Sequence, residues 1–266
     1  MVFRTHTFGL ACVIITYLCI GYADYVVTVH MIGGSLSYSV FGMMNIIAFN
    51  AILGLMVLSH IRAMTCDPGI VSTLPNNQAD LNLVQSDKYK QSEGVNGWTI
   101  CSKCDAVRPP QAHHCRICGK CIKKMDHHCP WINNCIGELN QKYLLMFLFY
   151  VVVASVYAAS MVATYWLLHP PHLSPLVMHN KTMHTAGLCS IAGLFSIFSF
   201  VVGYDKLAAV RIRKELSGTA TGETNSQMST KEICYEVFGD VHPFLWLIPL
   251  NINKRRNGAR QGLLTS

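Results

Sequence analysis

The sequence predicts an all-α membrane protein, with four transmembrane helices and a polar segment inserted between the second and the third. Three observations predict it. Charged residues make up 13% of the 266 residues and hydrophobic ones 51%, whereas a soluble domain carries about 25% charged residues. Four apolar stretches, 8–32, 39–60, 143–168 and 185–207, can each cross a hydrocarbon core of about 30 Å, which takes about 20 residues. Between the second and third lies a polar run, 101–135, holding seven of the twelve cysteines and four of the twelve histidines. The chain thus divides into helices 1 and 2 (1–66), a polar domain (67–142), helices 3 and 4 (143–207) and a C-terminal tail (208–266).

These stretches are helical because lipid offers no partner for backbone N–H and C=O groups. The first has a second reading. Arg4, an apolar run and Gly21-Tyr22-Ala23 resemble a signal peptide with a small-x-small cleavage site. A signal core is only about 7–15 residues long, however, and here the apolar character resumes after Asp24 as YVVTVHMI. An uncleaved helix follows, with Asp24 inside the span, where a carboxylate needs a function or a nearby hydroxyl. The stretch 71–97 is rich in Asn, Gln, Ser and Gly and reads as a linker. Asp67-Pro68-Gly69 ahead of it is a turn. Residues 33–38 and 169–184 read as the loops on the opposite side of the membrane.

Positive charge sets the orientation. Segment 61–142 carries ten Lys and Arg and the tail from 206 onward nine, against none in 33–38 and only Lys181 in 169–184. By the positive-inside rule both termini and the Cys/His block face the cytosol. The net charge of +7 is then mostly topology. No nucleic-acid recognition motif accompanies it, and a basic membrane-facing surface draws anionic lipids or a phosphate-bearing substrate.

A reducing cytosol makes a dense Cys/His array metal-binding or catalytic rather than disulfide-bonded. Zinc takes four thiolate or imidazole ligands in a tetrahedron. Cys101-x-x-Cys104 and Cys115-x-x-Cys118 are knuckle halves, interleaved with His114, Cys121, His128 and Cys135. The block offers eleven Cys and His side chains. Two zincs use eight of them, which leaves His113, His127 and Cys129. A spare thiol beside a spare imidazole is a candidate nucleophile with its base.

The full pattern, C-x2-C-x9-HC-x2-C-x2-C-x4-DHHC-x5-C, resembles the DHHC protein S-acyltransferases (palmitoyltransferases), as do Asp67-Pro68-Gly69 and the four-helix layout. The resemblance implies two structural zincs, one held by Cys101, Cys104, His114 and Cys121, the other by Cys115, Cys118, His128 and Cys135. It implies that Cys129 is the acylated nucleophile, with His127 as its base and Asp126 orienting His127. The chemistry agrees. A thiol of pKa about 8.5 needs help near neutral pH, and a carboxylate on the far imidazole nitrogen fixes the tautomer and stabilises the imidazolium. Acyl-CoA, above all palmitoyl-CoA and other long-chain thioesters, is the implied donor, and membrane-proximal cysteines of protein substrates at the bilayer are the acceptors. Arg108, His113, Lys123 and Lys124 are candidate contacts for the CoA phosphates. Leu144, Phe147, Val151 and Ala154 recur at three- and four-residue steps on one face of helix 3, and the resemblance makes that face the acyl site, with Ala154 near its far end. It also suggests the Golgi, with the endoplasmic reticulum or plasma membrane as alternatives, through the tail Phe238-Gly239-Asp240-Val241-His242-Pro243-Phe244.

Three positions depart from the family pattern. Ala220-Thr221-Gly222-Glu223 lacks the first Thr of Thr-Thr-x-Glu, Ile233 stands where an Asn is usual, and Asn140-x3-Phe ends in Leu144. None touches a metal-ligand position or the Asp126, His127, Cys129 set. Two other classes compete. A membrane-anchored zinc scaffold or RING-like ubiquitin ligase needs the metals but no nucleophile. An ion transporter needs ionisable residues along several helices, and the spans offer Asp24 and little else. Cys12, Cys19 and Cys189 read as packing residues; Cys66 and Cys234 sit near the cytosolic face.

Overall fold

The computed structural model describes residues 6–33, 39–71, 99–168, 175–220 and 229–250, without the side chains of 175 and 213–220. Among the described residues, four helices are long and apolar enough to cross a membrane: Thr7–Gly33, Val40–Thr65, Gln141–Leu168 and Leu176–Ile212. The shortest has 26 residues, which at about 1.5 Å per residue is about 39 Å, enough for the hydrocarbon core. The fold is that of an all-α, multi-pass membrane protein with a Cys/His-rich insertion between the second and third spans.

Helix α1 (Thr7–Asp24) continues as a wider π-helical segment over Tyr25–Gly33. Thr28 lies in that segment, and its hydroxyl donates to the Asp24 backbone carbonyl at 2.6 Å. The neighbouring hydroxyl thus serves the main chain rather than the carboxylate, whose Oδ1 is buried without a partner among the described residues. Helix α2 spans Val40–Thr65, α3 Gln141–Leu168 and α4 Pro175–Ala220.

The fourth helix begins about ten residues before its apolar run, so the second half of the expected loop 169–184 is helical. Proline suits a first helical position because its missing N–H has no partner there in any case. Lys181, expected as a loop charge, is fully buried, with its ammonium 4.2 Å from the Trp166 ring centre and 4.7 Å from that of Tyr165. Cation–π attraction lets this helical turn carry a lysine inside the fold.

Among its described residues the insertion has three two-stranded antiparallel hairpins: β1 (Thr99–Cys101) with β2 (Ala106–Arg108), β3 (His113–Cys115) with β4 (Lys120–Ile122), and β5 (His128–Cys129) with β6 (Asn134–Cys135). Most of the linker 71–97 lies outside the described residues, as do Thr221, Gly222 and Glu223. The tail adds α5 (Thr230–Phe238) and a short α6 (Pro243–Trp246). Ser229 and Glu232 form a reciprocal capping box that starts α5.

Two compact units make up the chain. One is Met1–Gly21 with His60–Leu144, the other Tyr22–Ser59 with Leu145–Ser266. The first unit holds the insertion. There the Asp67 carboxylate accepts from the N–H groups of Gly69 (2.8 Å) and Ile70 (2.9 Å), closing the Asp-Pro-Gly turn. Gly69 has φ +103°, a conformation that favours glycine. The turn delivers Ile70 to an antiparallel bridge with Ile122, next to a Val71 N–H bond to the Cys121 carbonyl at 2.8 Å.

In the second unit Phe49 stacks on Tyr157 with ring centres 5.6 Å apart, and the Tyr157 hydroxyl is 2.6 Å from Asn45 Oδ1. The tail packs against α4 through Ile233 and Val210, flanked by Leu207 and Val237. At the position where the family pattern carries Asn, this chain therefore makes an apolar contact instead of a polar one.

Candidate active site and metal centres

Each CxxC turn in the first unit is built alike. Cys101 and Cys115 end strands, their carbonyls accept from Cys104 N (3.2 Å) and Gly119 N (2.8 Å) respectively, and a residue with positive φ closes each turn: Asp105 at +46° and Gly119 at +66°. The third hairpin then pairs His128 with Cys135 directly across its strands, and Cys129 with Asn134.

Two groups of four donors result: Cys101, Cys104, His114 and Cys121, and Cys115, Cys118, His128 and Cys135. Within each group the ligand atoms all lie within 4.8 Å of one another. In the first, His114 Nδ1 is 3.7, 3.2 and 3.9 Å from the sulfurs of Cys101, Cys104 and Cys121. In the second, His128 Nδ1 is 3.9, 3.4 and 3.6 Å from those of Cys115, Cys118 and Cys135. A tetrahedral zinc with Zn–S of about 2.3 Å and Zn–N of about 2.0–2.1 Å has N–S edges of about 3.5 Å, so both groups fit the ion.

Their electrostatics point the same way. Burial, with Cys101 and Cys104 close by, pushes the Cys121 thiol up to about 12. Cys118 first and burial second push Cys135 up, while the same pair interaction brings Cys118 down to about 5. Thiols this crowded cannot all ionise unless a cation sits among them.

Asp126, His127 and Cys129 stay outside both groups. Asp126 N donates to the Ile136 carbonyl at 2.9 Å and Ile136 N to the His127 carbonyl at 2.8 Å, so the hairpin continues back to the acid–imidazole pair. Asp126 Oδ2 lies 3.1 Å from His127 Nδ1. That bond, followed by one to Cys129, raises His127 from the usual histidine range to about 9 against the opposing effect of burial. With Nδ1 engaged, the other nitrogen is the one that can exchange a proton with the thiol. Cys129 is buried, 6% exposed, and caps a 3₁₀ turn (Pro130–Ile132) that has proline in its first position.

The four candidate phosphate contacts all lie in this unit. Arg108 donates from Nε to Thr99 Oγ1 at 2.6 Å, and Lys124 pairs with Glu138 at 3.3 Å. His113 and Lys123 are exposed. On α3, Leu144, Phe147 and Ala154 are buried and Val151 half-buried.

Sequence reading misses Asn134 and His60 and names Asn140 only as the start of a family pattern, but these three residues fasten the hairpin of Cys129 to α2. Asn134 Nδ2 donates to the carbonyls of Ala63 (3.2 Å), Met64 (3.1 Å) and Cys66 (3.1 Å), closing the C-terminal end of the helix, while its Oδ1 accepts from Cys135 N. Asn140 Nδ2 joins Ala63 O and Cys135 O. His60 Nε2 reaches Trp131 O at 3.0 Å. The available signal is a histidine in an apolar helix, a residue that needs a partner inside the protein.

A family model described as DHHC palmitoyltransferase matches residues 95–227. Palmitoyltransferase ZDHHC3 of Homo sapiens is 42% identical over 159 residues, covering 60% of this chain and 51% of the relative. Palmitoyltransferase ZDHHC7 of Mus musculus is 41% identical over 150 residues, 56% of this chain and 46% of the relative. Probable protein S-acyltransferase 14 of Arabidopsis thaliana is 28% identical over 251 residues, 82% of this chain and 76% of the relative. The aligned region spans about half the length of the first two relatives.

Proposed function

Because the chain belongs to the DHHC palmitoyltransferase family, we propose that it is a protein S-acyltransferase that moves a long-chain acyl group from acyl-CoA to cysteine thiols of membrane-associated proteins. The observation that carries this reading is the Asp126, His127 and Cys129 set held beside two four-donor groups that exclude all three residues.

The reaction has two half-steps. The Cys129 thiolate attacks the thioester carbonyl carbon of acyl-CoA, the C–S bond to CoA breaks, and His127, as imidazolium, gives its proton to the departing CoA sulfur. A substrate thiol then attacks acyl-Cys129, its proton passing to His127, and the Cys129–acyl bond breaks to regenerate the thiolate. Asp126 holds the ring and offsets its positive charge throughout. Cys101, Cys104, His114 and Cys121 would hold one zinc and Cys115, Cys118, His128 and Cys135 the other, each closed by four protein ligands. A closed site supplies folding energy rather than a place for substrate.

Lys123 and His113, exposed within the block, with Arg108 and Lys124, are our candidates for the CoA phosphates. The α3 face of Leu144, Phe147, Val151 and Ala154 is our candidate for the acyl chain. The charge asymmetry favours a cytosolic active site and termini, and the likeness of the tail favours the Golgi.

The test incubates purified protein with radiolabelled palmitoyl-CoA and treats the product with hydroxylamine. Wild type should carry a hydroxylamine-labile label, and Cys129→Ser should lose it while retaining its metal. A labile adduct on Cys129→Ser would assign the nucleophile elsewhere. Absence of any adduct on folded, metal-replete wild type would favour a scaffold role instead.

A further inference from the structure

We propose that His60 is a positioning residue for the nucleophile, acting through the main chain of the turn that Cys129 caps. The inference rests on Cys129 being the acyl carrier.

His60 belongs to the last turns of α2 and is fully buried. Its Nε2 meets the Trp131 carbonyl at 3.0 Å and its Nδ1 the Tyr17 hydroxyl at 3.2 Å. A carbonyl only accepts, so Nε2 carries the hydrogen. In the neutral ring Nδ1 then accepts from the Tyr17 O–H. The Tyr17 ring also stands edge-on to the imidazole, 5.4 Å between centres and 79° between planes. Both contacts fix ring orientation and tautomer together.

The partner carbonyl is what gives this bond a consequence. Trp131 is the middle residue of the three-residue turn Pro130–Ile132, whose N-cap is Cys129. On the other strand of the hairpin, Asn134 is bolted to the carbonyls of Ala63, Met64 and Cys66. The same helix end therefore grips the chain on both sides of the hairpin tip: at Asn134, paired with Cys129, and at Trp131, two residues beyond it. The metal-ligand groups grip only the base of the hairpin, at His128 and Cys135. Loss of the His60 donor releases the Trp131 carbonyl, and the turn that starts at Cys129 shifts, moving the thiol from its set position against an incoming thioester. A misplacement of about 1 Å costs about 10²-fold in rate.

Three substitutions separate donor from volume. Glutamine can place an N–H near the position of Nε2, asparagine reaches only that of Nδ1, and phenylalanine fills the space with no donor. For acyl-enzyme formation from palmitoyl-CoA, His60→Gln should stay within about threefold of wild type, while His60→Asn and His60→Phe should lose about 10- to 100-fold in kcat. Their KM should stay within about twofold, because the site that binds the donor is intact. Zinc content should stay at the wild-type value in all three. A second reading needs no acyl transfer: alkylation of Cys129 by N-ethylmaleimide, located by peptide mass spectrometry, should be faster in His60→Phe, because a loosened turn exposes a thiol now 6% accessible.

Slower acylation with faster alkylation at constant zinc supports the positioning role. Wild-type kinetics in His60→Phe, a glutamine variant as impaired as phenylalanine, or zinc lost in step with activity would each overturn it. If wild type forms no acyl-enzyme, the proposed function fails, and the alkylation comparison still decides the role of His60.

Discussion

Asn134 stands directly across the hairpin from Cys129, and its side-chain amide gathers three carbonyls from the end of α2, at 3.1 to 3.2 Å. The residue opposite the proposed nucleophile is thus also the C-terminal cap of a transmembrane helix. Helix ends leave carbonyls without partners, and Asn134 supplies the donors where burial excludes water: the residue is 2% exposed.

Removing this cap should weaken both helix end and hairpin. Asn134→Ala should cost about 1–3 kcal/mol, the usual penalty for stranding buried acceptors. Asn134→Asp keeps the volume but turns a second oxygen towards three carbonyl oxygens, so it should be worse than alanine. Melting temperature in detergent checks the order. Aspartate tolerated better than alanine would show that volume rather than donation matters there.

The two adjacent histidines should separate cleanly. His128→Ala removes a ligand from a four-donor group and should lose metal. His127→Ala should keep the metal and slow acyl transfer by about 10²–10⁴-fold, the usual contribution of general acid–base catalysis. Metal analysis beside single-turnover acylation decides, and metal loss in His127→Ala with retention in His128→Ala would exchange their roles.

The Asp126–His127 pair carries a pH signature. Asp126 is the first cause of a His127 pKa near 9, against about 6.5 in an unfolded chain. A raised folded-state pKa stabilises fully below about 6.5, and that contribution disappears as pH rises through about 9. Wild type should therefore exceed Asp126→Asn in stability most at pH 6, with the gap narrowing towards pH 10. Acyl-enzyme formation should follow, because in the proposed mechanism the His127 imidazolium protonates the leaving sulfur. Its alkaline limb should sit near pH 9 in wild type and shift downward in Asp126→Asn. Coincident limbs in the two proteins would remove Asp126 from the proton chemistry.

Metal removal tests the donor groups. Cys101→Ala and Cys135→Ala each take one thiolate from a different group. Each should lower zinc from two per chain and destabilise the insertion, because the metal supplies folding energy where large apolar side chains are few. Immediately around the two donor groups the buried residues are chiefly the cysteines themselves with Val71, Ala112 and Ile122. Elemental analysis giving one zinc in folded wild type would overturn the pairing.

That eight donors could serve two zincs was legible in the CxxC spacing and in zinc's demand for four ligands, whereas their division into two interleaved groups came from the resemblance to the DHHC family. The clamp on α2 was not legible. Asn134 lies 68 to 71 residues along the chain from its carbonyl partners, and His60 lies 71 from Trp131. Local patterns hold no record of such pairs. The start of α4 was hidden for another reason: hydropathy finds apolar runs, and Lys181 and His184 interrupt this one while the helix continues. The lysine is accommodated by Tyr165 and Trp166, which belong to a different helix.

Ala154 offers a test of acyl-chain length. It is 8% exposed on α3, on a face that includes Leu144 and Phe147 and continues to Ala158 and Met161. Ordinary helix packing also produces such a stripe, so burial alone does not choose between packing and an acyl site. The choice rests on size. If the acyl chain runs along this face, a methyl side chain leaves room at its far end, and stearoyl-CoA should be accepted beside palmitoyl-CoA. Ala154→Phe should shift preference towards myristoyl-CoA while zinc content stays unchanged. If the face only packs, the larger ring costs about 1–3 kcal/mol of overpacking and lowers activity with all three donors alike. Competition among the three thioesters separates these outcomes, because a shift in ratio requires contact with the chain and a uniform loss does not. An unchanged ratio in a folded, active Ala154→Phe variant would place the end of the acyl chain elsewhere.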